Sequence, residues 1–167
     1  MNQRKTELRN FVKRYCNNKL AVLGLVIFFL IVAVVLIAPL LIPYGEAEID
    51  VVAFSAAPSS KHLLGTDTVG RDVLARLLYG GRVSLFVGVV STAISVVIGI
   101  PLGLLAAFYR GWFETIVMRA ADIFMTIPST ILILFLVSMF GPSNITVPVV
   151  IGVLGWTKFA RQIFGTV

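Results

Sequence analysis

One cysteine, one histidine and eight acidic residues in 167 leave little for thiol redox or metal-binding chemistry. Cys16 has no partner within the chain, so an internal disulfide is excluded, and its plain reading is a free thiol. His62 cannot build a metal site by itself. No Ser/His/Asp set, H-E-x-x-H, paired C-x-x-C or carboxylate dyad occurs, which argues against catalysis by this chain. Charge of both signs is scarce: 13% of residues are charged against 58% hydrophobic, far from the balance of a soluble domain. The net charge of +6 does not mark a nucleic-acid binder, because the basic residues gather beside apolar blocks and not along one polar face.

Those apolar blocks are what the chain does have. Leu20 to Ile42 contains no charged side chain. As a helix it would reach roughly 35 Å, enough to cross a bilayer core of about 30 Å. In lipid the backbone must satisfy its own hydrogen bonds, and a helix does so within one segment. The run is longer than a signal-peptide core and no A-x-A pattern follows it, so it reads as an uncleaved anchor. Arg4, Lys5, Arg9, Lys13, Arg14 and Lys19 precede it and place the tail, residues 1–19, in the cytoplasm.

With the first span at 20–42, residues 43–82 form an external loop. A second span follows at 83–109, a cytoplasmic connection at 110–121 and a third span at 122–140 interrupted by Pro128. Gly141 to Asn144 is an external turn. The segment 145–162 makes a short fourth span whose end, at Lys158 and Arg161, lies in the cytoplasm. The expected fold is thus an all-α polytopic membrane protein with about four spans and a cytoplasmic N-terminus.

Three groups of residues stand out. Ser84, Gly88, Ser91, Ser95, Gly99 and Gly103 share one face of the second span. Small residues let helices approach closely in lipid, either within the chain or against another subunit. Pro101 is expected to kink that helix or free a carbonyl there. In the loop, Gly65, Thr66, Asp67, Gly70, Arg71 and Asp72 imitate a phosphate-binding loop but fail its chemistry. Arg71 replaces the lysine and Asp72 the magnesium-binding hydroxyl. The structural reading makes Asp67 an N-cap, opening an amphipathic helix over about 67–79 that Gly80-Gly81 ends. Asp72 and Arg76 would pair at i,i+4. This helix would lie at the outer interface or cover the mouth of a pathway. Finally, Arg119 and Asp122 edge the third span, where they can snorkel or pair, with Asp122 near a helix N-terminus. Asn144-Ile145-Thr146 matches a glycosylation triplet only by coincidence.

Three strings carry a resemblance. HLLGTDTVGRDVLARLLYGGRVSL (His62 to Leu85) resembles the signature between the first two spans of bacterial ABC importer permeases of the dipeptide, oligopeptide and nickel type. MRAADIFMTIPSTIL (Met118 to Leu132), with Arg119, Asp122 and Pro128, is similar to their third-span segment. WTKFAR, with Trp156 and Arg161, is similar to the end of the next helix. The resemblance implies the N-terminal part of a type I importer transmembrane domain, with residues 83–167 a partial permease domain, in the bacterial inner membrane. It implies a second permease subunit, two cytoplasmic ATPases and an external solute-binding protein as partners, and no cofactor or nucleic acid. The permease would form half of a pathway for peptides, with nickel or another small solute as the alternative, and would not hydrolyse ATP. Family members continue into a coupling helix with an E-A-A motif, and carry a basic residue where Phe164 stands. This chain has no such motif before Val167, so a truncated remnant or a membrane scaffold is the other expectation.

Overall fold

The computed structural model describes residues 16–167. The basic residues Arg4, Lys5, Arg9, Lys13 and Arg14, on which the tail's placement rests, lie outside the described residues. The described chain is helical: α1 Lys19–Leu41, α2 Val73–Tyr109, α3 Gly111–Thr126, α4 Ser129–Phe140 and α5 Thr146–Phe164. Among the described residues strand pairing is limited to isolated bridges in the loop before α2. Two compact units divide the chain at Arg82/Val83.

In the first unit α1 forms because nothing in its sequence interrupts it, and Asn18 starts it by accepting a hydrogen bond from the Ala21 N–H at 3.3 Å. Its hydropathic stretch, Lys19–Ile37, buries nothing against the chain. An all-round apolar helix of this kind suits a lipid surround. Pro39 has no N–H to give the carbonyl four residues back, that of Val35. Arg82 supplies the missing donor, its Nε reaching the Val35 oxygen at 3.2 Å while Nη2 bonds Leu36.

The amphipathic helix expected over 67–79 is not a separate element. Residues 66–72 turn tightly, Asp72 caps Ala75 N–H at 2.7 Å, and α2 runs unbroken through Gly80-Gly81 to Tyr109. Glycine here does not stop a helix; a Cβ on Gly81 would stand 3.0 Å from Val35, so its smallness admits α1. Pro101 lies inside α2 without ending it.

In the second unit the expected connection 110–121 is itself helical. The left-handed pair Arg110 and Gly111 breaks the chain between α2 and α3. The expected third span is broken too: α3 and α4 meet at 88°. Pro128 forces this, since the residue before a proline avoids the helical region, and Ile127 is extended at φ −84°, ψ 130°. Among the described residues two helices, α1 and α2, are long and apolar enough to cross a membrane, and a third if α3 and α4 count as one. α5 is the centre of the unit's packing. Trp156 and Ala160 join Ala106, Val117 and Ala121 in one buried cluster.

Candidate functional site: a tied loop and a broken helix

The loop before α2 is held by three aspartates. Asp67 accepts from the backbone N–H groups of Val69 (2.9 Å) and Arg71 (3.0 Å), from Arg71 Nε (3.0 Å) and from Arg76 Nη1 (2.8 Å). These donors, the Arg71 N–H foremost, hold its carboxyl at about 2, below the ordinary 3.8. Asp50 accepts from Lys61 Nζ at 2.6 Å and the Val52 N–H at 3.0 Å. Lys61 above all lowers Asp50 to about 2, and the aspartate raises the lysine in return. Asp72 is buried, 4% exposed, and divides its oxygens between the cap on Ala75 and His62 Nδ1 at 2.9 Å.

His62 is the hub. It is 3% exposed, its Nε2 faces Asp50 at 3.4 Å, and Tyr44 lies over its ring with centroids 5.0 Å apart. Thr66 Oγ1 donates to the Ala53 carbonyl and accepts from Ala56 N–H at 2.9 Å. Gly65 (φ +75°) and Gly70 (φ +81°) make the turns, and a Cβ on either would collide with the carbonyl of Ala56 or Asp50. Every predicted loop residue, Gly65, Thr66, Asp67, Gly70, Arg71, Asp72 and Arg76, therefore belongs to one knot. Two expectations change: the helix cap is Asp72 and not Asp67, and Arg76 pairs with Asp67 and not with Asp72. The reason is shared, because His62 and the helix N-terminus already occupy Asp72. His62, Asp50 and Tyr44 were missed. A histidine at the head of the signature string was the available signal; its acidic partner 12 residues earlier was not.

Of the small-residue stripe, Ser91, Ser95, Gly99 and Gly103 are buried against α5. Ser95 Oγ donates to the Gly152 carbonyl at 2.8 Å, and a Cβ on Gly99 would sit 2.5 Å from the Trp156 oxygen. Ser84 and Gly88 are exposed, with nothing near Gly88.

Arg119 and Asp122 do not pair. Asp122 bonds Arg161 of α5, and Arg119 is exposed without an ion pair among the described residues. Nor does Asp122 open a helix; it lies in the last turns of α3, because Pro128 moved the break downstream. Pro128 itself, with Phe124, Thr157 and Lys158, lines a cavity of about 170 Å³ at the break. Trp156 packs edge-on against Phe124, centroids 6.3 Å apart. Among the described residues no cluster of His, Cys, Asp and Glu could hold a metal ion.

A lipid-facing first helix, a long second one packed through small residues and a proline-broken pair around α5 define an integral membrane protein of helical-bundle type. Residues 6–58 match the family model for the N-terminal TM domain of oligopeptide transport permease C. Residues 99–167 match that for the inner membrane component of binding-protein-dependent transport systems. A Brucella abortus protein whose name describes a peptide permease is 42% identical over 150 residues, 90% of this chain and 50% of its own length. The glutathione transport system permease GsiD of Pectobacterium atrosepticum is 35% identical over 162 residues, 96% of this chain and 54% of its own. The oligopeptide transport system permease OppC of Bacillus subtilis is 32% identical over 154 residues, 92% and 50% respectively. The chain belongs to the peptide-type branch of the ABC importer permeases, and residues 99–167 carry part of their type I domain. It spans about half the length of the curated relatives it matches.

Proposed function

We propose that this chain is a membrane-spanning permease subunit of an ATP-driven importer for di- or oligopeptides, contributing half of the translocation pathway. It sits in the bacterial inner membrane with its N-terminus in the cytoplasm and crosses about four times. It pairs with a second permease, two cytoplasmic ATPases do the hydrolysis, and an external binding protein delivers the solute. The observation that carries this reading is the likeness along nearly the whole chain to relatives named as peptide, oligopeptide and glutathione permeases.

The loop supports it physically. A connection of some thirty residues is long for a helix–helix link, and a loop of that length with its own internal ties is a platform and not slack. Its knot fixes Asp67, Arg71 and Arg76 beside the start of α2, where a docked solute-binding protein would meet the pathway. The stripe residues Ser91, Ser95, Gly99 and Gly103 set the α2–α5 spacing, and Ser84 with Gly88 is left for the second permease. Asp122 and Arg161 tie α3 to α5 near the side facing the ATPases.

Uptake of labelled trialanine and of nickel by cells with and without the gene tests the reading. Loss of peptide uptake alone is expected on deletion, with return on complementation. Loss of nickel uptake alone would move the substrate to the alternative, and unchanged uptake of both would sink the importer reading.

A further inference from the structure

The corner between α2 and α3 places four rings in six residues: Phe108, Tyr109, Trp112 and Phe113. They meet edge-on in series, Phe108 with Tyr109 at 5.2 Å, Tyr109 with Phe113 at 6.2 Å and Phe113 with Trp112 at 6.1 Å between centroids. Only Phe113 packs on the buried cluster; Phe108 is 80% exposed, Tyr109 66% and Trp112 75%. Neither the Tyr109 hydroxyl nor the Trp112 indole N–H makes a hydrogen bond among the described residues. Large exposed rings with free polar tips suit the boundary of a bilayer, where ring bodies meet acyl chains and tips meet headgroups. The patch begins where α2 ends, a helix long and apolar enough to cross a membrane. It therefore continues a membrane-spanning surface and is not an isolated apolar spot in water.

The second observation concerns charge. Arg110, inside this patch, has a left-handed backbone (φ +42°, ψ −173°) that residues with a side chain rarely adopt, and such outliers gather at binding sites. Exposed Arg110 and half-buried Glu114 line one open cavity of about 290 Å³, whose apolar walls are Ala107, Phe164 and Val167. Their charges are opposite, yet they do not pair with each other. Neither side chain has an ion pair or a hydrogen bond among the described residues. One free cation and one free anion beside an aromatic rim match a ligand that carries both signs, a phosphate for the guanidinium and an ammonium for the carboxylate.

We propose that the α2–α3 corner is a binding surface for a phospholipid with a primary-amine headgroup, phosphatidylethanolamine. Its phosphate accepts from Arg110, its ammonium donates to Glu114, and Phe108, Tyr109 and Trp112 pack against the glycerol and the upper acyl chains. A headgroup with a phosphate and no amine would meet Glu114 unfavourably, and a choline headgroup has no N–H to give it. In the topology proposed above the leaflet is the cytoplasmic one; the site itself does not depend on the importer reading.

The test uses the native complex purified through this chain and stripped of lipid. Phosphatidylethanolamine, phosphatidylcholine and phosphatidylglycerol are titrated in turn, and retained lipid is counted by native mass spectrometry. The wild type is expected to hold one phosphatidylethanolamine about tenfold more tightly than the Glu114→Gln complex, the usual scale for a hydrogen-bonded charge. Its binding of phosphatidylcholine should not change with that substitution. Arg110→Gly suits the left-handed backbone and so spares the fold; it should weaken retention of all three lipids, and Arg110→Lys should recover most of it. Equal retention of phosphatidylethanolamine by the wild type, Glu114→Gln and Arg110→Gly overturns the site. A preference for phosphatidylglycerol that depends on Arg110 and not on Glu114 overturns the choice of lipid. Release of a subunit from the Arg110→Gly complex, visible in the same spectra, would mean that a protein covers the corner and overturns the proposal too. None of these outcomes bears on the importer reading, which uptake tests separately.

Discussion

Asp67 gathers two backbone N–H groups and two guanidinium donors on one carboxylate, and Asp50 gathers a lysine, a histidine and a backbone N–H. Both carboxyls lie at about 2 in the folded loop against an ordinary 3.8. A carboxyl depressed on folding stabilises the fold fully above its unfolded value and loses that contribution as pH falls through the folded one. The loop should therefore hold steady from neutral pH down to about 4 and loosen between about 4 and 2. Hydrogen-exchange protection of residues 50–72, corrected for intrinsic rates and compared with α5, reads this directly. Protection that falls in step in both segments, or in neither, would count against it. Asp67→Asn should loosen the loop already at pH 6, because the amide can accept from neither arginine with charge. Both aspartates are partly open to water, so the effect belongs to local opening and not to global stability.

At the scale of elements, the contact of α2 with α5 is set by glycine and serine, and lipid offers no hydrophobic drive to compensate a poor fit. Gly99→Leu would place side-chain atoms against the Trp156 carbonyl and Phe159, both in the backbone-to-backbone seam. Overpacking of this kind costs about 1–3 kcal/mol, so a drop of several degrees in the detergent melting temperature is expected. Gly88→Leu, at a position with open space, should leave it unchanged; equal effects at both sites would mean the stripe is not read as a seam. The stripe was legible because its spacing is local, and so was the interruption at Pro128. What the spacing could not give was which half of the stripe meets α5. Nor could it show that Asp122 reaches a partner 39 residues away. The cap was misplaced for a similar reason: Asp67 and Asp72 are equally good capping residues in sequence, and only His62, buried between Asp50 and Asp72, selects the second. Gly80-Gly81 read as a stop because local rules assign glycine to helix ends, whereas α1 needs the room.

For the whole molecule, the 88° break between α3 and α4 makes the number of crossings a single question. If α3 and α4 form one broken span, the turn at Gly141 to Asn144 emerges on the side of the loop before α2. If they dip in and return, that turn comes out on the side of Arg110. The proposed four-span arrangement requires the first. Cys16 is the chain's one cysteine, so its replacement by serine gives a clean background for one reporter at a time. Ser60→Cys and Asn144→Cys are exposed positions on the loop and the turn. An impermeant maleimide added to spheroplasts should label both, and should reach native Cys16 only after lysis. Labelling at Ser60→Cys but not at Asn144→Cys would make α3–α4 re-entrant. The cavity at Pro128 would then lie at the tip of a loop within the membrane. Labelling of Cys16 in intact spheroplasts would invert the whole arrangement, and with it the side on which a binding protein could meet the knotted loop. The positive-inside asymmetry of the tail argues for the first outcome, since five basic residues precede α1 and Lys19 opens it, against the single acid Glu7.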